Sequence, residues 1–253
     1  MKLAEAAWPD VADADPTVAL VPVGSTEQHG PHAPLSTDTV AAAAVAEAAV
    51  ERTGVSVAVA PPIPVGISAE HRHFAGTMWV SPDTFRAYVR EAAESLGAQG
   101  ADRVVFVNGH GGNTDALREV AAGLTRAEDG PVDLAAAFTW FDAVDEPDMG
   151  HAGPVETSLM LAVASHRVHE DRLADAAAEG ASSWGAFVNG TAVAYDTAAF
   201  SPNGTVGDPT DADAARGDEL LDAAAAALGE VVTAVADRDP DALVGPVHPD
   251  REG

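Results

Sequence analysis

Four short runs rich in Val and Ala, none with polar alternation, constrain this chain most: "TVALVPVG" (17–24), "VSVAVAPPI" (55–63), "RVVFVNG" (103–109) and "VDLAAAFTW" (132–140). A strand with one wet face alternates apolar and polar residues. A strand buried on both faces does not, and that is the habit of parallel sheets covered by helices. Helix candidates separate the runs. "TVAAAAVAEAAVERTG" (39–54) stops at a glycine, and "SPDTFRAYVREAAESLGAQG" (81–100) opens with Ser81 as N-cap and Pro82 in the first turn. Phe85, Tyr88, Val89, Ala92 and Leu96 recur at helical spacing, so one face of the second helix belongs to a core. Further helices are expected over 114–127, 154–165 and 209–236. The order β-α-β-α-β-α-β predicts an α/β fold, a three-layer α/β/α sandwich around a largely parallel sheet. No linker or repeat interrupts 253 residues, which predicts one domain with a polar tail over about 237–253. The stretch 181–210 breaks the rhythm with Gly, Ser, Thr, Asn and isolated aromatics, and is expected to be a long loop or hairpin near a site.

Charge narrows the possible partners. The formal net charge is −27, Lys2 is the only lysine, and the acidic residues are spread along the chain. Such a surface repels itself in dilute buffer and is screened in concentrated salt, which implies the cytoplasm of a salt-loaded halophile, such as a haloarchaeon. Nucleic acid and anionic membrane both need a basic face, so neither is an expected partner. No apolar run is long enough for a membrane span, and the N-terminus lacks a signal pattern, so a cytoplasmic protein is expected. With no cysteine, disulfides and thiolate metal ligands are excluded.

Two of the strands run straight into unusual loops. The first leads into "GSTEQHGPHAPLSTD" (24–38), the third into "NGHGGN" (108–113). Ligands of open α/β sheets bind beyond the carboxyl ends of strands, so both loops stand where chemistry is expected. Glu27 and His29 are one residue apart and share a side in an extended segment. Asp38 closes the first loop and His110 adds a second imidazole. Nitrogen and oxygen donors without sulfur suit Zn²⁺, Mn²⁺ or Fe²⁺. A carboxylate such as Asp38 can bridge two such ions. Gly111 and Gly112 let the backbone approach a substrate closely. "DMGHAGPVETSLML" (148–161) adds Asp148, His151 and Glu156: a further acidic ligand, and a histidine free to move protons. "GISAEHRHFAGT" (66–77) adds Glu70, His71, Arg72 and His73. Of these, Glu70, His71 and Arg72 are candidate substrate contacts. His166, His169 and His248 read as surface residues, and His32 has no evident role.

"GSTEQHGPHAPLSTD", "NGHGGN" and "HAGPVETS" resemble the three hallmark segments of the creatininase family of metal-dependent amidohydrolases, and "GISAEHRHFAGT" and "GTVGDPTDADAARG" resemble two lesser ones. Together they span about residues 20 to 217. The resemblance implies a two-metal centre of divalent ions, Zn, Mn or Fe. Glu27 and His110 would hold one ion and His29 the other, with Asp38 between them. His151 would carry protons with Asp148 close by. A homo-oligomer is implied, commonly a hexamer in this family, acting on a small-molecule substrate. The implied reaction is hydrolysis of a non-peptide C–N bond, cyclic amide or formamide, by a metal-activated water.

Two departures weaken creatinine as the substrate. Creatininase proper has a glutamate ligand where Gly112 stands, for which Glu156 is the expected substitute, and a tryptophan where Pro147 stands. The "NGHGGN" form looks more like other branches, among them a peptide-trimming member and the archaeal formylaminopyrimidine nucleotide deformylase. The expected specific activity is that deformylase, with Arg72 as a contact for the phosphate. Creatinine amidohydrolase and a non-catalytic metal-binding protein are the alternatives.

Overall fold

The structure, a computed structural model, describes residues 1–144, 146 and 149–239. The elements are α1 (Trp8–Ala14), β1 (Val18–Val23), α2 (Thr37–Val50), β2 (Val57–Val59), α3 (Pro82–Gly97), β3 (Arg103–Asn108), α4 (Thr114–Thr125), β4 (Leu134–Thr139), α5 (Pro154–Ala164), α6 (Leu173–Glu179), the hairpin β5 (Phe187–Val188) and β6 (Thr191–Ala192), and α7 (Ala214–Asp237). All four expected strands form one parallel sheet in the order β2-β1-β3-β4. The missing polar alternation has the expected cause. On one face Leu20, Val105 and Val107 pack with α2, α5 and α7. On the other, Val21, Val104 and Phe106 pack with Phe85, Val89, Leu117 and Val120 from α3 and α4. Both faces are covered, giving the three-layer α/β/α sandwich.

Strand order fixes where a site can form. The chain passes from β1 to β2 on one side, then crosses to β3 on the other. The connections therefore diverge between β1 and β3, and a crevice opens beyond their carboxyl ends. Residues 24–38 leave β1 there and residues 109–113 leave β3 there. The segments are drawn together tightly: a Cβ on Gly109 would collide with the Asp38 carbonyl.

Two of the boundaries that differ from expectation are those at the starts of α2 and α7. α2 begins at Thr37, so Asp38 lies in its first turn rather than closing the loop. That turn leaves backbone N–H groups unbonded and favours a carboxylate. α7 begins at Ala214, five residues late, because Pro209–Asp211 forms a separate turn. Asp213 then caps the helix by accepting from the N–H groups of Ala215 and Arg216. Ser81 caps α3 as expected, accepting from Thr84 N. Among the described residues no helix is long and apolar enough to cross a membrane. The expected roles of Asp148 and His248, Pro147, and the tail beyond Asp239 lie outside the described residues.

Candidate metal centre

Seven titratable side chains converge at the crevice, and Glu27, His29, Asp38, His71, His110, His151 and Glu156 are all buried. Asp38 lies between two imidazoles: Glu27, Asp38 and His110 form one close ligand-type set, and His29, with Asp38 on one side, forms another with Glu156 and His151. His29 Nε2 is 3.0 Å from Asp38 Oδ1 and 3.8 Å from Glu156 Oε1. His110 Nδ1 is 3.4 Å from Asp38 Oδ2 and 3.2 Å from Glu27 Oε2. The two oxygens of one carboxylate thus face opposite ways, each toward an imidazole.

Each imidazole is held in one tautomer by its far nitrogen. His110 donates Nε2–H to the Ile67 carbonyl, 2.7 Å, which leaves Nδ1 to face the carboxylates. His29 donates Nδ1–H to the Glu27 carbonyl, 3.2 Å, which leaves Nε2. Such outer bonds orient metal-ligating histidines and raise their basicity. The outer bonds are themselves anchored. Ile67 N donates to Asn113 Oδ1, and Asn113 Nδ2 donates to the Gly24 carbonyl. Asn108 grips the His110 backbone twice, accepting from its N–H and donating to its carbonyl. The two asparagines of "NGHGGN" therefore rigidify the loop. Glu156 Oε2 accepts from Ala152 N, 2.6 Å, which aims Oε1 at His29. Ala152 takes φ +51° in that turn, a left-handed strain common where side chains are aimed for function.

Among the described residues Glu27 Oε1 and Oε2, His29 Nε2, Asp38 Oδ2 and His71 Nε2 make no hydrogen bond, only ion-pair approaches to one another. Buried charges are paired or coordinate metals, and so many orphaned atoms in one place fit divalent cations. Protonation follows the same geometry. Burial opposes charge on His29, yet Asp38 and Glu156 raise its pKa well above the usual imidazole value. Burial likewise opposes charge on His110, but Glu27 and Asp38 lift it to about 10. Burial and then the Glu27 charge push Asp38 up. Glu156 is buried too, but its hydrogen bond to His29 brings it below the ordinary carboxylate range. Divalent ions would displace the protons that now hold these carboxylates and imidazoles together.

A second layer of imidazoles flanks the sets. His151 stacks between His29 and His71, with ring centroids 4.3 and 4.4 Å away. It donates Nε2–H to the Gln28 carbonyl, 2.7 Å, and turns Nδ1 toward Glu27 Oε1, 3.8 Å. Burial and the neighbouring His29 lower its pKa to about 4, so the ring is neutral at pH 7. Its backbone is pinned by Val206 through paired N–H···O bonds of 2.9 and 2.8 Å, which explains the "GTVGDPT" segment. His71 Nε2 lies 3.4 Å from Glu27 Oε1. Gln28, between Glu27 and His29 in sequence, presents its amide N–H groups to His71 Nδ1 (2.8 Å) and to the Gly204 carbonyl (3.1 Å). Sequence reasoning missed Gln28. The signal was a polar residue set between two ligands, facing the opposite side.

The candidate substrate contacts divide. Glu70, His71, Gly111 and Gly112 line a cavity of about 460 Å³ over the cluster. Arg72 does not: its guanidinium is bound 2.5 Å from Asp196 Oδ2, its side chain is 46% exposed, and it is absent from the cavity wall. Arg72 stands out in the sequence by its charge and its place between His71 and His73, and the short 3₁₀ helix at Ala69–His71 leads the chain there away from the cavity. His73 joins Arg72 on Asp196, 3.2 Å away, and His166 and His169 are exposed. Gly112 has no room for a side chain, since a Cβ would strike the Ile67 carbonyl and crowd His110 Nε2. Glu156 reaches the cluster from α5. The far wall is apolar and was not foreseen residue by residue: Trp184, Phe187 and Tyr195 come from the irregular 181–210 stretch, with Phe141 and Met149.

His32 faces away from the sets. Its ring is buried, Nε2 lies 2.9 Å from the Thr157 hydroxyl, and burial lowers its pKa to about 4. The unfolded ring takes a proton near pH 6.5 and the folded one only near pH 4, so stability is lost as pH falls through that window. His32→Gln should flatten the dependence of the urea midpoint between pH 6.5 and 4. An unchanged slope would place the proton uptake elsewhere.

Comparisons with known proteins agree with this geometry. The family model for creatininase, described as creatinine amidohydrolase, matches residues 4–232. The mycofactocin precursor peptide peptidase of Mycobacterium ulcerans is 39% identical over 222 residues, covering 85% of this chain and 80% of that one. The creatinine amidohydrolase of Pseudomonas putida is 30% identical over 186 residues, covering 62% and 68%. These relatives are bacterial. A creatininase variant solved in a Zn-Zn form superposes with a TM-score of 0.79 at 25% identity, covering 94% of this chain and 98% of that one. The matching model, the shared sandwich and the crevice cluster lead to one conclusion: the chain belongs to the creatininase family of hydrolases, whose members act on amide and peptide-like bonds.

Proposed function

We propose that this protein hydrolyses an amide bond of a peptide-like substrate at a centre of two divalent ions, zinc or manganese being the first candidates. Glu27, Asp38 and His110 would hold one ion, and His29, Asp38 and Glu156 the other. The single observation that carries this reading is the divided Asp38 carboxylate, with Oδ1 toward His29 and Oδ2 toward His110. Metal bound there supplies Lewis acidity that polarises a carbonyl and acidifies a water. The chain does the rest. Gly111 and Gly112 bring bare backbone to the cavity wall, where it can approach an acyl group closely. His151 enters the reaction neutral, with Nδ1 free and its proton on Nε2 fixed by the Gln28 carbonyl. It can accept a proton at Nδ1 and pass it to a leaving nitrogen.

Similarity to the mycofactocin precursor peptide peptidases favours a peptide amide over the expected nucleotide formamide. The phosphate of a nucleotide would also lack the partner expected for it, because Arg72 is bound to Asp196 outside the cavity wall. The test is an assay of the purified protein with Zn²⁺ or Mn²⁺ against blocked dipeptides, creatinine and a formylaminopyrimidine nucleotide. Cleavage of a peptide amide, abolished by a chelator and restored by metal, is the expected result. Turnover of creatinine or of the nucleotide without peptide cleavage would overturn the reading. No turnover at all, with metal bound, would favour a binding protein.

A further inference from the structure

The cavity over the histidines has two unlike walls, and their contrast bears on what can enter. Among the described residues its lining holds neither lysine nor arginine, but four carboxylates: Glu27, Asp38, Glu70 and Glu156. Three of these belong to the proposed ligand sets. Glu70 does not. Its Oε1 is 3.6 Å from His110 Nε2, whose proton is already given to the Ile67 carbonyl. With Glu27, Asp38 and Glu156 set against two divalent ions, Glu70 is the further carboxylate that cancels the remaining positive charge, so the lining offers an anionic end no net positive charge.

The opposite wall is aromatic. Trp184 sets its ring edge-on to His71 and His151, with centroids 6.0 and 5.9 Å away, and rests on Phe200 at 5.4 Å. Beyond it the chain forms the β5–β6 hairpin. Asn189 and Gly190 take φ +50° and +78°, the left-handed pair that matches a two-residue turn to strand twist. Phe187 and Tyr195 line the cavity yet stay 57% and 77% exposed. These faces contribute little to the core, and an isolated two-stranded hairpin is marginal in water. Exposed aromatic surface at a cavity mouth marks a place where something apolar binds.

Resting on the amide-hydrolase reading, we infer that the part of the substrate seated between the histidines and the hairpin is uncharged and apolar, bearing neither carboxylate nor phosphate. Trp184, Phe187 and Tyr195 supply the contact for its apolar body. Glu70 removes the positive charge that would otherwise hold an anionic end. The substrate segment entering here is thus a blocked or internal one, not a free carboxyl terminus.

Two measurements on the full chain test this. The first compares hydrolysis of the Gly–Phe bond in N-acetyl-glycyl-phenylalanine amide with that in the free acid, at saturating metal. The amide should be preferred by roughly tenfold or more in kcat/KM, the scale of one like-charge contact at partial screening. Glu70→Gln should bring the two substrates several-fold closer, whatever its effect on absolute rate. Trp184→Ala should reduce the preference for phenylalanine amide over glycine amide by roughly tenfold, the scale of a lost apolar contact in a binding pocket. The second measurement needs no turnover. Quenching of Trp184 fluorescence in metal-free protein, taken as the difference from Trp184→Phe, should saturate with N-acetylphenylalanine amide at lower concentration than with N-acetylphenylalanine. Cleavage of both substrates with equal efficiency, or preference for the acid, would overturn the inference while leaving the amide-hydrolase reading intact. Absence of cleavage with the fluorescence preference retained would defeat that reading and uphold the selectivity. Hairpin substitutions that change oligomeric state and not selectivity would also overturn the inference, giving the aromatic wall to a second copy of the chain.

Discussion

Asp38→Asn is expected to abolish tight metal binding and, with it, activity. The change keeps the shape of the side chain and removes its charge. In the protein the Asp38 carboxylate stands 3.0 Å from His29 Nε2 and 3.4 Å from His110 Nδ1. Each proposed ligand set would lose its shared anion and keep one imidazole and one glutamate. Loss of an outer-shell partner alone costs about 10- to 100-fold in metal affinity, so loss of a shared ligand should cost more than 100-fold. The metal-free variant should still fold, because burial and the Glu27 charge already disfavour an ionised Asp38. The signature is therefore a loss of stabilisation by metal, not a loss of structure. An ion at 100 times its Kd stabilises the wild type by about 2.7 kcal/mol. In Asp38→Asn the same concentration should leave Tm unmoved, with elemental analysis showing depleted metal. Full metal content in the variant would refute the bridging role.

His151→Ala is expected to do the opposite: keep the metal and lose turnover. The ring is neutral, stacked between His29 and His71, and held by the Gln28 carbonyl with Nδ1 free. Removing a group that moves a proton in the transition state costs about 10²–10⁴-fold in rate. kcat should fall by that factor with metal content unchanged. Near-normal kcat would end the proton-carrier role. Loss of metal together with kcat would instead make His151 a ligand beside His29 and Glu156, a grouping its position also allows.

Much of this was legible in the sequence because the signals were local or periodic. Non-alternating Val runs encode a sheet covered on both faces, and the helices between them encode its parallel sense, though not the strand order. Glu27, His29, Asp38 and His110 were legible because ligand-type residues in glycine-rich loops after strands have few structural uses. Other features depended on contacts distant in sequence. Ile67 orients His110 from 43 residues away, and Val206 pins His151 from another segment. Gln28 looked like a spacer, and only the approach of Gly204 and His71 gives its amide a task. Arg72 looked like a phosphate contact until Asp196, 124 residues on, proved to hold it. The hairpin at 187–192 was expected as an excursion, but two-residue strands have no periodicity from which to read that Trp184, Phe187 and Tyr195 face the cavity. The choice between a peptide and a nucleotide formamide was not legible either, because both would present an amide to the proposed metal centre.

The central claim is two ions sharing Asp38, and anomalous scattering from crystals grown with Zn²⁺ or Mn²⁺ tests it most directly. The account predicts two peaks per chain, one among Glu27, Asp38 and His110 and the other among His29, Asp38 and Glu156. A single peak, or one centred on Glu27, His71 and His151 away from Asp38, would contradict it.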